Sequence, residues 1–148
     1  MDYEQLKQML AQVVPFNRHV GVEITEIAHG TATVRLPEGA HLMNHVGTQH
    51  AAALFAAAEA ASGAAMASVF GDLIGRATPL ARSAQVAYLK PARGPIEARA
   101  TVSGNVQELP STLEANGRVE FPVEVALEDA NGVKVAEVTV AWHVRMNA

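Results

Sequence analysis

With 148 residues and no cysteine, the chain is long enough to bury one core, about 68–70% of its unfolded surface, without disulfides or metal staples. It has no thiolate metal site and no cysteine nucleophile. Its formal net charge is −4 and its eleven Lys and Arg residues are scattered, so the basic stripe that a nucleic-acid partner requires is missing. The opening MDYEQLKQML lacks the basic n-region and apolar h-region of a signal peptide. Together with the missing cysteines, this gives a cytoplasmic protein as the expectation.

In chain order, Leu6, Met9, Leu10, Val13 and Val14 recur at helical spacing. They predict a short amphipathic helix within residues 1–14, stopped by Pro15. Residues 20–27, VGVEITEI, alternate as a strand, His29-Gly30 marks a turn, and 31–37 read as the returning strand. A loop rich in Gly, His and Asn follows over 38–47. The spacing then predicts a long apolar helix over 48–70, closed by Gly71-Asp72 and Gly75. Strands are expected over 83–90, 94–108, 117–129 and 132–146, with a phase shift near Ala136 in the last. Asn131-Gly132 is a strong hairpin signal, and Pro122 inside its strand implies an edge or a bulge.

The order α–β–β–α–β–β–β–β describes one α+β domain over residues 1–148. An antiparallel meander of about five to six strands is interrupted by one long helix. A single sheet must bury its inner face, so it is expected to wrap that helix, whose alanines let strands approach closely. The sheet's outer face and edges would then meet another subunit. The segment Ala51–Phe70 is long enough to raise a membrane question. However, Glu59, Ser62, Gly63 and Ser68 interrupt it, and a central acidic residue is disfavoured in lipid by roughly 2.5–3.5 kcal/mol. No membrane partner is expected.

The phosphate-binding patterns GxGxxG and GxxxxGK[ST] and the GxSxG elbow are all absent. His41, His45 and His50 are clustered, but their spacing lies mostly in a loop with no carboxylate at ligand spacing, so no metal site is expected. Glu59 is the sharper signal. It stands in an alanine-rich helix where only Ser62 offers a nearby hydrogen bond. Two readings fit. Either Glu59 is a functional carboxylate in a cleft with a raised pKa, or it lies on the helix's one exposed stripe.

The segment Asn44-x-x-Gly47-Thr48-x-His50-Ala51-Ala52-Ala53-Leu54-Phe55-x-x-Ala58-Glu59 resembles the active-site segment of hotdog-fold thioesterases. It is most similar to the phenylacetic-acid-pathway (PaaI-like) acyl-CoA thioesterases and the related DUF4442 group. Strand order and the YLKPARG turn (88–94) extend the resemblance over about residues 15–146. The resemblance implies hydrolysis of an acyl-CoA or related thioester. Glu59 would act as general base or nucleophile. The Ala51 amide, at the helix N-terminus, would polarise the thioester carbonyl. Asn44 would place the water or the carbonyl, and His50 would order the helix start. Gly47, Thr48 and Ser62 fall within the implied substrate site. Coenzyme A enters as part of the substrate, and no separate cofactor is implied. Ala51-Ala52 replaces the family's Gly pair, and Glu59 stands where many relatives carry Asp.

Ala51 and Glu59 are eight residues apart, about 12 Å along one helix. The amide and the carboxylate acting on one thioester are therefore expected from different subunits of a two-fold dimer, which could pair again into a tetramer. Lys90 and Arg93 are candidates for coenzyme A phosphates, with Arg76 and Arg82 as alternatives. Solvated turn cations explain the same residues. Phe16, Met43 and Phe55 could line an acyl pocket or simply pack in the core. Two further functions stay open: a hotdog hydratase or dehydratase using His45 and Glu59, and a non-catalytic acyl-CoA-binding dimer.

Overall fold

The computed structural model describes all 148 residues. Helix α1 runs over Tyr3–Val13. The Asp2 carboxylate caps it, accepting from the Glu4 and Gln5 amides at 3.0 and 3.1 Å. Pro15 stops this helix, and it also opens a second one that the sequence reading did not include, α2 at Pro15–Val20. Proline lacks the N–H a helix interior needs but suits a first turn. Because α2 takes up Val20, strand β1 begins at Glu23 rather than at residue 20 and runs to Ala28. It pairs with β2, Thr31–Leu36.

The long helix, α3, spans Ala51–Phe70, with His50 as its N-cap. It starts three residues later than expected because Gln49 bridges back to Met43. Fifteen of its residues are buried. With the 3₁₀ turn over Gly71–Arg76 it is long and apolar enough to cross a membrane, yet 83% of that window is buried inside this domain. It packs on β1, β2 and the later strands β4 (Ile96–Val102), β5 (Arg118–Glu128) and β6 (Lys134–Met146). Alanines such as Ala57, Ala58, Ala61 and Ala65, all fully buried, leave room for strands on several sides.

The sheet is antiparallel, in the order β1-β2-β4-β5-β6-β3, where β3 is Ala77–Tyr88. It is therefore not a simple meander: β3 lies at the far edge, paired with β6 and not with β4. β3 also begins six residues earlier than expected, and residues 80–88 are exposed on both faces. β4 and β5 alternate buried and exposed residues. β4 ends at Val102, well short of residue 108. A second unexpected helix, α4 at Leu109–Asn116, then buries Leu113 against the end of the sheet. Pro122 lies in an internal strand, but the β4 ladder stops at Val102 opposite Val123. Just beyond it the Pro122 carbonyl still accepts from the Ser103 amide at 3.0 Å, so the proline sits at the last rung of the ladder, where the single N–H it lacks interrupts no further pairing. The phase shift in β6 is a bulge: Val135 and Ala136 are both fully buried, and the register slips opposite Leu127 and Glu128. At the β5–β6 turn, the Asp129 carboxylate accepts from the Asn131 and Val133 amides.

Candidate active site

The residues singled out in the sequence gather at two places along α3. The first is its N-terminal end. The Asn44 side chain ties the preceding turn together, accepting from the Val46 and Thr48 amides at 3.1 and 3.0 Å and donating to Thr48 Oγ1 at 2.7 Å. Gly47 takes φ 76° in this turn, a conformation that costs other residues. Gln49 then fastens the turn to the rest of the chain. Its Nε2 donates to the carbonyls of Pro37 and Gly94, each at 3.0 Å, and its buried Oε1 has no partner. The His50 Nδ1 accepts from the Ala52 amide at 2.9 Å, so the imidazole caps the helix. The adjacent Ala51 N–H receives no cap and stays free at the positive end of the helix. Tyr88 donates to the Ala51 carbonyl at 3.1 Å. A cavity of about 400 Å³ is lined here by Asn44, Thr48, Ala51, Tyr88, Lys90 and Arg93, among others.

The second place is the middle of the helix. Ala51, Ala52, Phe55, Glu59 and Gly63 form the one stripe of α3 that is not buried. The exposed-stripe reading of Glu59 is thus correct in position. The stripe is nonetheless apolar apart from Glu59; α1 and α2 pack on this helix, and β3 residues 79–81 border the cavity beside it. Glu59 opens into a cavity of about 320 Å³ walled by Leu10, Val13, Val14, Ile24, Leu80 and Trp142 with others. Glu59 is the one ionisable residue in that lining, and burial pushes its carboxyl above the usual carboxylate range. No side chain or amide of the chain hydrogen-bonds to it.

Ser62 requires a correction as a substrate contact. It is fully buried; its hydroxyl donates to the Glu59 main-chain carbonyl at 2.8 Å and accepts from Trp142 Nε1 at 3.0 Å. Serine back-bonding of this kind satisfies both groups and leaves nothing for a ligand. Phe16 is exposed, and neither it nor Met43 and Phe55 lines the Glu59 cavity. Arg82 is engaged on the sheet's outer face in an ion pair with Glu120, which also meets His143 at 2.8 Å. His41 and His45 are exposed, and no group of three or more His, Asp or Glu side chains is placed to hold a metal ion. The largest concavity, about 950 Å³, is bordered by Arg99, Glu124 and Glu137 on the sheet face opposite α3, away from the residues that carry chemistry.

Gln49, Tyr88, Trp142 and the α1 residues Leu10, Val13 and Val14 were not among the expected site residues. Trp142 and α1 carried a signal, the inward phase of β6 and the apolar stripe, but nothing said which cavity they would meet. Gly63 carried one too: glycine costs about 1 kcal/mol relative to alanine inside a helix, in a segment otherwise filled with alanine.

A six-stranded antiparallel sheet wrapped around one long central helix is the hotdog fold. The solved structures agree. A Pseudomonas aeruginosa protein described as a probable thioesterase superposes with TM-score 0.84 at 26% identity, covering 99% of this chain and 97% of its own. The Escherichia coli PaaI protein of the phenylacetic acid degradation operon gives 0.78 at 18% identity, covering 99% and 94%. A Staphylococcus aureus thioesterase gives 0.75 at 13%, covering 89% and 99%. The last two likenesses concern the fold alone. No curated protein sequence matches. The model of the family described as domain of unknown function DUF4442 matches residues 3–144, and the chain belongs to that family.

Proposed function

We propose that this protein hydrolyses acyl-CoA or a closely related acyl thioester, at a site shared between two copies of the chain. The observation that carries this reading is Glu59, a desolvated carboxylate without hydrogen bonds on the apolar stripe of α3. In the general-base route, Glu59 takes a proton from water as the water oxygen adds to the thioester carbonyl carbon. The carbonyl oxygen becomes an oxyanion, stabilised by the Ala51 N–H at the helix N-terminus. Collapse breaks the C–S bond, and the departing thiolate recovers the proton from Glu59. In the nucleophilic route Glu59 itself adds to the carbonyl carbon, expels the thiolate and leaves a mixed anhydride for water to cleave. A single turnover in heavy-oxygen water separates the two, because only the anhydride route can leave label in the Glu59 carboxylate.

Two features support a shared site. Ala51 and Glu59 open into different cavities of one protomer, about 12 Å apart along the helix. β3 presents a free edge with Leu80 and Tyr88 exposed, and such edges pair. A two-fold dimer with the α3 helices side by side brings each amide opposite the partner's carboxylate. Asn44 then positions the carbonyl or the water, and Gly47 and Thr48 shape that turn. Lys90 and Arg93 receive the phosphates of coenzyme A.

The test is Glu59→Gln against a panel of acyl-CoAs: unchanged hydrolysis refutes the assignment. Mixing inactive Glu59→Gln with inactive Ala51→Pro protomers tests the sharing. Random reassortment makes about half the dimers mixed, each with one intact site, so activity returns to about a quarter of wild type. No recovery, or an active monomer, refutes it.

A further inference from the structure

Gly63 lies one turn beyond Glu59 on the same face of α3, and both line the apolar cavity beside the carboxylate. Close packing does not require a glycine here. A Cβ built at Gly63 would come 3.4 Å from Trp142 Cζ2 and 3.6 Å from Cη2, ordinary van der Waals contact. The helix would gain from alanine, and alanine is what the chain uses at Ala57, Ala58, Ala60, Ala61, Ala64 and Ala65. What an added methyl would take away is cavity volume, over the ring of Trp142. That ring cannot swing aside freely, because its Nε1 is fixed to the buried Ser62 hydroxyl at 3.0 Å.

We propose that Gly63 and the anchored ring of Trp142 form the floor of an acyl-binding pocket. Gly63 thereby sets how long an acyl group the site accepts. The inference rests on the thioesterase reading and adds a substrate class to it. The pocket takes neutral, apolar acyl groups up to a medium-length chain or a single ring. Its volume of about 320 Å³ is at the small end of ligand pockets, which span roughly 300–1,000 Å³. A dicarboxylic acyl group would bring a second charge into a pocket that already holds Glu59 and whose lining has no cation, Asn17 being its one neutral polar side chain. Leu10, Val13 and Val14 of α1 close the pocket on the side facing solvent.

The expected result is a selectivity change. One added methylene in an apolar pocket is worth about 10–200-fold in discrimination, so Gly63→Ala should lower the octanoyl-to-acetyl ratio of kcat/KM by at least about tenfold, and Gly63→Val further. Because Trp142 is the chain's sole tryptophan, occupancy can be followed without turnover. S-octyl-CoA, a thioether that cannot be hydrolysed, should shift its emission, S-ethyl-CoA should not, and Gly63→Ala should weaken the octyl thioether selectively. Circular dichroism verifies that Gly63→Ala is folded. Equal effects on both chain lengths overturn the inference, as does S-octyl-CoA that binds by calorimetry with emission unchanged, or does not bind. If the emission shift and its dependence on Gly63 appear but no thioester is hydrolysed, the pocket stands and the enzymatic reading falls.

Discussion

At the N-terminus of α3, polarity is organised by hydrogen bonds: Asn44 holds its turn, His50 caps the helix, and the Ala51 amide is left without a partner. About two turns further along, the Glu59 carboxylate has no such bonds and faces apolar walls. The same helix therefore prepares two opposite electrostatic tools. The free amide is a fixed dipole that can receive developing negative charge without reorganising. The carboxylate is poorly solvated, which makes it a stronger base than one in water. Helical rise keeps the two about 12 Å apart within a chain, and in the proposed shared site each half is completed by the other copy. The first cavity, with Lys90 and Arg93, suits a charged thiol carrier; the second suits an apolar acyl group.

The largest expected effect comes from removing the carboxylate. Glu59→Gln should lower kcat by about a hundred- to ten-thousand-fold, while acyl-CoA binding by calorimetry persists. Because burial raises this pKa, the protonated form is the one the fold favours. Its stabilising contribution is present below the ordinary value of 4.5 and is lost as pH rises through the raised folded value. Gln should therefore melt higher than wild type at neutral pH, with the difference shrinking in acid. For the same reason the acidic limb of kcat/KM in wild type should have its midpoint above 4.5; a midpoint at or below that value contradicts a desolvated base.

Next in size is the amide. Ala51 is the first residue of the helix and His50 before it is extended, at φ −66° and ψ 141°, a backbone that accepts a following proline. Ala51→Pro deletes the N–H and keeps the helix, and turnover should fall about a hundred- to a thousand-fold with circular dichroism unchanged. Full activity would put the polarising donor elsewhere. Ser62→Ala tests the anchor of the Trp142 ring beyond Glu59. It strands the buried Trp142 N–H, and denaturant unfolding should register a loss of about 1–3 kcal/mol. No loss would mean that the indole finds another partner. The smallest effect belongs to the rim cations. Lys90→Ala with Arg93→Ala should raise KM for acyl-CoA but not for acyl thioesters of N-acetylcysteamine, and added salt should narrow the gap. An equal rise for both substrates would remove the phosphate role.

The hotdog core was legible because its signals are periodic: the alternation of β4 and β5, the alanine run of α3, the Asn131-Gly132 turn. Shorter or flatter elements were not. α2 and α4 have six and eight residues and bury one residue each, Val20 and Leu113, too few to show a period. The start of β3 was hidden by Pro79 and by exposure on both faces, which leaves no alternation to read. No periodicity could say that β3 pairs with β6, since pairing is decided across the sheet. In the site, Glu59 stood out as a lone charge, but its exposed-stripe position depends on what the sheet leaves uncovered. Ser62 was misplaced because proximity on the helix does not reveal that its hydroxyl turns to Trp142. Gln49 had no signal at all: its role depends on the Pro37 and Gly94 carbonyls arriving from distant parts of the chain.

β3 follows directly after α3, yet its one partner within the chain is β6, from Ala77 opposite Met146 to Tyr88 opposite Ala136. During synthesis this apolar strand emerges long before anything can pair with it, and the loop-closure cost is met only at the end. Until then both of its edges are templates for other chains. Nascent chains stopped before Lys134 should accordingly self-associate or recruit chaperones in a translation assay, and chains extended through Met146 should not. The last strand made is thus the one that ends this exposure to misassembly, and it leaves β3 one open edge for a deliberate partner.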